Sequence, residues 1–487
     1  MTDLHQKLER AFNPRTVAVV GDKRATGYLW LNALKHFVGK VYSVQINKDE
    51  IPGIEALGIP NYMSLLDIPD ELDYVVCAVR RAISPRVVAD CIRKGATAVT
   101  LFTSGFAETE QEEGVRLQKE LGRMAREAGL VLIGPNCMGI YNPRLGLRQS
   151  AEQPWGEAGN VGFISQSGTH CISFSQLGHG HGIRCNKAVS FGNAEVLDAA
   201  DYLEYLAGDP QTEVIGLYIE GVRDGHRFLD VLRRVTRRKP VAVWKGGQTE
   251  AGERAIYSHT AALATRGAIW QAAMRQAGVV TVDSLEEMVD VVKGLLYISV
   301  GGGPACGGKP PTGRRVGLIA MTGGQSVVIA DAFGRAGLEV PLLTAASDEK
   351  LASFFNVIGG SYRNPLDAGG TLAMGFRPDN LQRMMDILDE DANVDTLVME
   401  VGAAFLARRW RQNPNLLDQL VELLAAHKER SQKPFLMILQ PGHLEGQMAE
   451  VRSKLVGRGI ATFASFQQAA NALSKIIGYH RFRAGLD

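Results

Sequence analysis

The stretch Gly159-Asn-Val-Gly-Phe-Ile-Ser-Gln-Ser-Gly168 is an apolar run that ends in small, hydroxyl-bearing residues and leads into a helical pattern. A strand whose turn enters a helix directly is the repeating element of parallel α/β sheets. The same order recurs where Arg315-Val-Gly-Leu-Ile-Ala-Met321 enters Thr322-Gly-Gly-Gln-Ser326. Likewise, Lys433-Pro-Phe-Leu-Met-Ile-Leu439 echoes Lys239-Pro-Val-Ala-Val-Trp244. The chain is therefore predicted to contain two copies of one α/β unit.

The composition is that of an ordinary globular chain without a strong global field. Its 487 residues are too many for one core and should divide into about three domains. Hydrophobic residues make up 45%, charged residues 22%, and the mean hydropathy is -0.04. A net charge of +1 gives no long-range attraction to nucleic acid or an anionic membrane. We therefore expect no nucleic acid or membrane partner, and an anionic ligand must be held by local groups.

Six cysteines are scattered singly along the chain. They form no CxxC pair and no metal-ligand spacing, so no metal site is predicted and incidental free thiols are expected. Free thiols are typical of a reducing compartment. The N-terminal segment MTDLHQKLERAFNP is polar and contains no apolar signal core. These features together favour a cytoplasmic protein.

The first domain begins with an apolar strand, Thr16-Val-Ala-Val-Val20, which ends in a turn that runs from Gly21 to Gly27. A helical segment from Tyr28 to Phe37 follows. In such a unit the N-terminus of the helix offers free backbone N–H groups and a positive dipole end to a phosphate. The spacing of the glycines is not GxGxxG, so the turn resembles a phosphate loop only in its order of strand, glycine-containing turn and helix.

Further apolar runs alternate with helical segments and predict a buried parallel sheet with right-handed crossovers. Ligands of such sheets bind at the carboxyl ends of the strands. The turns expected at those ends contain Asn47-Lys48, Thr103-Ser-Gly-Phe-Ala-Glu108 and Gly134-Pro-Asn-Cys-Met-Gly139.

In that order these motifs resemble the CoA-binding domain of the NDP-forming acyl-CoA synthetases, the superfamily that includes the succinyl-CoA synthetase α subunit. The resemblance implies that the domain binds coenzyme A rather than NAD. Two departures are the absence of a Gly-Ala-Ser start in the first loop and Gln45-Ile-Asn-Lys48 in place of Asn-Pro-Lys. The residues implied for CoA contact are Gly21, Lys23, Lys48, Ala78, Val79, Ser104, Gly105, Asn136 and Cys137.

The second domain resembles the flavodoxin-like domain of the same superfamily. Its members carry a phosphohistidine in a loop of the form Ser-His-Thr-Gly-x-Leu-Ala, and Ser258-His-Thr-Ala-Ala-Leu-Ala264 matches all but the glycine. The resemblance implies that His259 is the phosphoryl carrier on an exposed small-residue loop, and that Glu220 orients it. It also implies that the turn after the first strand receives the phosphoryl group, through Ser165, Gln166, Ser167 and Gly168.

The predicted architecture is α/β with three doubly wound domains, a Rossmann-like CoA-binding domain followed by two flavodoxin-like domains. The boundaries are 1–145, 146–300 and 313–487, with a Gly/Pro-rich linker at 301–312. In the third domain Asn364-Pro-Leu-Asp367 resembles a family signature, and Thr322-Gly-Gly-Gln-Ser326 is either an anion contact or a structural turn. No second phosphohistidine loop is present, and His427 and His443 are expected on the surface.

The resemblance covers nearly the whole chain and implies the α subunit of a reversible NDP-forming carboxylate:CoA ligase, an acid-thiol ligase. The implied reaction joins a small carboxylic acid to CoA through acyl phosphate and phosphohistidine intermediates. No GxxxxGK[ST] loop is present, so ATP/ADP with Mg2+ is expected on an ATP-grasp β subunit in an α2β2 assembly.

Two other hypotheses remain open at this point. A dinucleotide oxidoreductase would require GxGxxG and an acidic residue after the second strand, where the chain has Gln45 and Asn47. A CoA- or acyl-CoA-binding regulatory protein without ligase turnover is suggested by the departures in the first glycine loop and at Ala261.

Overall fold

The computed structural model describes residues 3–260, 267–300, 308–373, 378–403 and 415–485, the side chains of 256–260, 373 and 378 excepted. The chain divides into two compact units. One contains Met1–His179 and Ile183–Leu285, and the other contains Gly180–Gly182 and Glu286–Asp487. Each unit is built on mostly parallel sheets, two in the first and one in the second.

The first sheet is wholly parallel, in the strand order β3-β2-β1-β4-β5-β6. This is the doubly wound order in which the chain reverses direction between β1 and β4. The strands are β1 (Thr16–Val20), β2 (Lys40–Val44), β3 (Asn61–Tyr62), β4 (Tyr74–Cys77), β5 (Ala98–Leu101) and β6 (Val131–Ile133). The helices are Asp3–Phe12, Leu29–Ala33, Ile51–Glu55, Ser84–Lys94 and Glu112–Ala128, with 3₁₀ turns at Arg24–Thr26, Leu65–Asp67, Arg81–Ile83 and Ala107–Thr109.

The second sheet has the order β12-β11-β10-β8-β9-β7, parallel except for its edge strand β7. The strands are β7 (Gly139–Tyr141), β8 (Val161–Ser165), β9 (Cys185–Ser190), β10 (Val214–Ile219), β11 (Val241–Lys245) and β12 (Val280–Val282). The helices are Gly168–Gly180, Ala199–Gly208, Gly225–Thr236, Glu250–Thr260 and Gly267–Gln276, with a 3₁₀ turn at Pro143–Leu145.

The third sheet has the order β14-β13-β15-β16-β17 and lies in the second unit. Its strands are β13 (Val316–Ala320), β14 (Leu366–Asp367), β15 (Thr396–Gly402), β16 (Phe435–Gln440) and β17 (Ala461–Phe463). Counted from its first strand, this order 2-1-3-4-5 is the order of the five parallel strands of the second sheet. The helices are Leu285–Gly294, Leu295–Val300 (a π-helix), Gly323–Arg335, Ala345–Ala352, Gly369–Ala373, Pro378–Glu390, Leu416–Arg430, Glu445–Gly457 and Phe466–Arg483.

The shared strand order confirms that the third sheet repeats the second. The predicted fold class, a Rossmann-like sheet followed by two flavodoxin-like sheets, is likewise confirmed. The strands of the first unit read as unbroken apolar runs because both faces of each sheet are covered, as the full burial of β1, β8 and β10 shows.

The first and second sheets share one hydrophobic core, which includes Val19 and Ile133 of one sheet and Ile164 and Ile215 of the other. Strand β7 helps to join them, because it follows the first sheet in sequence but pairs antiparallel with β9 of the second. The proposed boundary at residue 145 therefore falls after a strand that already belongs to the second sheet.

Three local expectations differ from the structure. The helix expected from Tyr28 to Phe37 is limited to Leu29–Ala33. The histidine-bearing segment is helical through Thr260 rather than a loop, because acidic residues favour its first turn and the Thr249 hydroxyl accepts the N–H of Gly252 at 3.1 Å. His427 is buried, with 1% of its surface exposed, because its ring packs against Phe435 of β16 and lies beside Asp386.

Five cysteines are free and buried, namely Cys77, Cys91, Cys137, Cys171 and Cys185. Cys306, and residues 301–307 of the predicted linker, lie outside the described residues. Among the helices of the part of the chain that the structure describes, none combines the length and apolar character that a membrane crossing requires.

Candidate active site

The turn after β1 lies against the turn after β4, at the point where the first sheet reverses direction. Gly21 has a φ of +86°, and a Cβ at this position would stand 2.6 Å from Cγ1 of Val79 and 3.4 Å from the backbone of Ala78. Only glycine combines that backbone angle with such a close approach. The structure thus brings together three of the residues implied for CoA contact at the end of the sheet where ligands bind.

The Asp22 carboxylate lies at the helix N-terminus that the sequence predicts to bind a phosphate. Its Oδ2 accepts the backbone N–H groups of Trp30 and Leu31, each at 2.9 Å, and burial raises the pKa of this carboxyl. The prediction of free N–H groups at this terminus is therefore wrong for Trp30 and Leu31, since a buried side chain of the same loop accepts both. Lys23 and Lys48 are exposed and remain available to an anion.

The turns after β5 and β6 are joined by hydrogen bonds. The N–H of Asn136 donates to the carbonyl of Thr103 at 3.1 Å, and the Thr103 hydroxyl donates to the carbonyl of Val79. Glu108 accepts the N–H of Gly105 at 2.5 Å. These bonds hold the turn that contains exposed Ser104 beside the other predicted CoA contacts.

Cys137 is buried beneath these turns. Its thiol lies 3.8 Å from the carbonyl of Leu101, and burial raises the pKa of the thiol to about 12. A thiol that stays protonated at neutral pH is a packing group rather than a nucleophile. Any contact of Cys137 with CoA is consequently left to its backbone.

The turn after β8 uses two of its side chains internally. The hydroxyl of buried Ser165 donates to the carbonyl of Ser167 at 2.6 Å. The Ser167 hydroxyl accepts the N–H of His170 at 3.3 Å and so caps the helix that begins at Gly168. A ligand at this turn would therefore meet mainly backbone N–H groups and the positive end of the helix dipole.

Gln166 fixes the end of β10. The side-chain Oε1 of Gln166 accepts the backbone N–H of Glu220 at 2.7 Å and that of Gly221 at 3.1 Å. The backbone N–H of Gln166 donates to the carbonyl of Tyr218 at 2.9 Å. All four residues are buried. The side chain of Gln166 thus determines where the Glu220 backbone lies.

The carboxylate of Glu220 is held from a second side by an aromatic residue. The Tyr218 hydroxyl donates to Glu220 Oε1 at 3.1 Å. Lys245 Nζ donates to the carbonyl oxygens of Glu220 at 2.7 Å and Gly246 at 2.6 Å, and burial lowers the pKa of this lysine. A carboxylate held in this way can orient the ring of a histidine brought against it.

His259 lies in the last turn of the helix Glu250–Thr260. Its side chain, and residues 261–264 of the predicted phosphohistidine loop, lie outside the described residues. The helix itself packs against the turn Ala107–Thr109 of the first sheet. The helix that carries His259 is therefore next to the turn of the first sheet that contains Ser104 and Gly105.

The third sheet has the same kind of turn without the histidine motif. The Thr322 hydroxyl accepts the N–H of Gln325 at 3.3 Å and caps the following helix. Glu400 accepts the N–H of Met321 at 3.0 Å, and burial raises the pKa of its carboxyl. Exposed His443 is consistent with the prediction of a surface histidine.

Comparison with known proteins assigns both sheets of the first unit. Residues 15–143 match the CoA binding domain family, and residues 158–295 match the succinyl-CoA ligase like flavodoxin domain family. Over 475 residues the chain is 33% identical to the α subunit of acetate–CoA ligase (ADP-forming) II of Pyrococcus furiosus, covering 96% of this chain and 97% of that subunit. The chain belongs to the NDP-forming acyl-CoA synthetases.

Two further members of the NDP-forming acyl-CoA synthetases show how far the likeness extends. The chain is 34% identical over 394 residues to acetate–CoA ligase (ADP-forming) I of Archaeoglobus fulgidus, covering 80% of this chain and 54% of that ligase. A dinucleotide forming acetyl-coenzyme A synthetase 1 from Ca. Korarchaeum cryptofilum, solved with phosphate and ADP, superposes with a TM-score of 0.81 at 29% identity, covering 98% of each chain. This chain thus spans nearly all of the Pyrococcus α subunit and about half of the Archaeoglobus ligase.

Membership in the NDP-forming acyl-CoA synthetases confirms the predicted family and favours the α-type ligase over the regulatory and oxidoreductase alternatives. Sequence reasoning overlooked three residues of this site, Asp22, Tyr218 and Lys245. One signal was available, since a charged residue that ends an apolar strand, as in Val241-Ala-Val-Trp-Lys245, often lies at the ligand-binding edge of a sheet.

Proposed function

We propose that the chain is the α-type subunit of a reversible ligase that converts a carboxylic acid, CoA and ATP into acyl-CoA, ADP and phosphate. The observation that supports it is the constraint on Glu220 by Gln166, at the end of β10 and beside the turn Ser165–Gly168. In this proposal the carboxylate orients His259, and one ring nitrogen becomes the nucleophile because the other donates to the carboxylate.

The proposed chemistry meets an energetic difficulty of the substrate. A carboxylate is a poor electrophile, and a thiolate cannot expel oxide from it. His259 therefore accepts the γ-phosphoryl group of ATP with release of ADP, and then transfers it to the acid as an acyl phosphate. Attack of the CoA sulfur on the acyl carbon expels phosphate and forms the thioester. The turn of Ser165, Gln166, Ser167 and Gly168 stabilises the phosphoryl group with the backbone N–H groups of Ser167 and Gly168, since the backbone N–H of Gln166 donates to Tyr218.

We assign CoA to the carboxyl edge of the first sheet. Gly21 packs closely against Ala78 and Val79 at this edge. The exposed side chains of Lys23 and Lys48 offer positive charge to the CoA phosphates. The turns with Ser104, Gly105 and Asn136 complete the edge. This assignment of CoA depends on the close approach that Gly21 permits between the turns after β1 and β4. It does not depend on the helix N-terminus, where Asp22 already accepts the backbone N–H of Trp30.

We place ATP/ADP with Mg2+ on a separate ATP-grasp β subunit, in an α2β2 assembly. Support comes from the coverage of the relatives, because the chain matches an α subunit end to end but only about half of a longer ligase. We retain the division into 1–145, 146–300 and 313–487 as the proposed domains, since each contains most of one sheet.

The test is phosphorylation of the chain mixed with an ATP-grasp polypeptide of the same organism and γ-labelled ATP. We expect the label on His259, its loss in His259→Ala, and a drop of roughly 10- to 100-fold in labelling rate for Glu220→Gln. His443→Ala is the matched control, because His443 is exposed in the other unit and matches no phosphohistidine motif. Labelling that survives His259→Ala would refute the proposal. CoA binding without phosphorylation would instead support the regulatory alternative.

A further inference from the structure

Three aromatic side chains stand together beside the carboxylate of Glu220. The ring of His170 lies 4.4 Å from the ring of Tyr218 and 4.5 Å from that of Trp244, and the Tyr218 and Trp244 rings are 4.6 Å apart. We refer to His170, Tyr218 and Trp244 as the aromatic wall. It adjoins the proposed active site, because the Tyr218 hydroxyl donates to Glu220.

The position of the aromatic wall follows from strand register. Tyr218 of β10 is paired with Trp244 of β11, so both side chains project from the same face of the sheet. His170 joins them from the first turn of the helix Gly168–Gly180, which begins directly after the turn Ser165–Gly168. The wall therefore touches both the proposed phosphoryl-binding turn and the residue proposed to orient His259.

The aromatic wall is not simply part of the core. Tyr218 is buried, whereas Trp244 and His170 each keep part of their surface exposed. Burial lowers the pKa of His170 despite the nearby carboxylate of Glu220, which favours the neutral form of its ring. The wall thus presents partly exposed aromatic surface next to the carboxyl group of Glu220.

We propose that the aromatic wall binds the non-reacting part of the carboxylic acid and selects acids with a flat aryl or conjugated group over acetate. This rests on the proposed function. The carboxylate of the acid must meet the phosphoryl group near Glu220 and the turn Ser165–Gly168. Whatever is attached to the carboxylate then lies next to the groups that flank those residues, and the wall is one of these groups, since Tyr218 contacts the Glu220 carboxylate and His170 follows the turn.

The chemistry of the aromatic wall supports this substrate class. Aromatic faces and edges pair favourably with other π systems, in addition to the hydrophobic gain from the area that is covered. Acetate has a single methyl group and covers little of such a surface. A second carboxylate would lose water against the ring surface of the wall without gaining a cationic partner from it, which disfavours dicarboxylic acids.

The test measures kcat/KM of the assembled enzyme for phenylacetate, cinnamate, succinate and acetate. The wild-type protein should prefer the two aryl acids, and Trp244→Leu should lower the aryl-to-acetate ratio by roughly 10- to 100-fold. Trp155→Leu is the matched control, since Trp155 is a 50% exposed tryptophan stacked on His36, elsewhere in the same unit. Its aryl-to-acetate ratio should equal that of the wild type.

A preference of the wild type for acetate or succinate, or an unchanged ratio in folded Trp244→Leu, would overturn the assignment of the aromatic wall. Should Trp244→Leu fail to fold, His170→Leu is the second variant, because His170 lies in the first turn of a helix and keeps part of its surface exposed. Labelling of His259 by ATP is measured separately. A wild type that is labelled but not aryl-selective disproves only the wall, whereas an unlabelled wild type disproves the proposed function and with it the wall.

Discussion

Replacement of Gln166 by leucine should destabilise the first unit and displace Glu220. The substitution keeps the approximate volume but removes the Oε1 atom that accepts two buried N–H groups, at 2.7 and 3.1 Å. Leaving a buried donor unsatisfied costs about 1–3 kcal/mol, so the two together should lower the free energy of unfolding by about 2–6 kcal/mol. For a unit of this size, that corresponds to a fall in melting temperature of roughly 3–10 °C.

The assay is urea denaturation of the whole chain, followed by fluorescence, with labelling of His259 measured on the same samples. Gln166→Glu keeps an accepting oxygen and should lose less stability than Gln166→Leu. Gln248→Leu is the control, since Gln248 is an exposed glutamine of the same unit, and it should change stability by less than about 0.5 kcal/mol. If Gln166→Leu is no less stable than Gln248→Leu, Gln166 does not hold Glu220 in the way inferred.

Two further predictions concern the CoA edge and the second unit. Gly21→Ala should weaken CoA binding, measured by calorimetry, about tenfold or more, because the new Cβ would stand 2.6 Å from Val79 at a φ of +86°. Gly27→Ala is the control and should change CoA affinity far less, because Gly27 has a φ of +65° with open space around it. Equal losses of affinity in the two variants would refute the close-approach argument. Burial and the nearby Lys293 and Arg452 lower the pKa of His181 to about 4, so between pH 6.5 and 4 the unfolded chain binds a proton that the folded unit excludes. The contribution of His181 to the stability of the second unit should therefore be fully present above pH 6.5 and be lost as the pH falls toward 4. The urea midpoint of His181→Leu should be less sensitive to acid than that of the wild type. Identical pH dependences of the two urea midpoints would contradict the assignment.

The fold was largely accessible from sequence because its strands are short, unbroken apolar runs between helical segments. The likeness of residues 159–168 to residues 315–326 correctly indicated a repeated unit. The crossing of β7 into the second sheet was not accessible, since three residues carry too little pattern to name a partner 51 positions away, as in Gly139↔Ser190.

The candidate site, like the fold, was accessible from the sequence only in part. The motifs around Gly21, Glu220 and His259 indicated a family and a chemistry, which the relatives confirm at the level of the family. The side-chain assignments could not follow from spacing. Asp22 faces its own helix, Gln166 reaches residues 54 and 55 positions further along the chain, and His427 is buried although nothing in its local sequence indicates it.

The sequence by itself determined the order of elements, the repeat and the identity of the residues at the strand ends, because local apolar periodicity and small-residue turns are written into contiguous residues. Only the tertiary structure decided which of those side chains face a ligand and which hold the protein together. Hydrogen bonds such as Gln166 to Glu220 and ring contacts such as His170 to Trp244 join residues from separate strands and helices. Their geometry exists only once strand register and helix packing have been set, since these place distant residues within a few ångströms of one another.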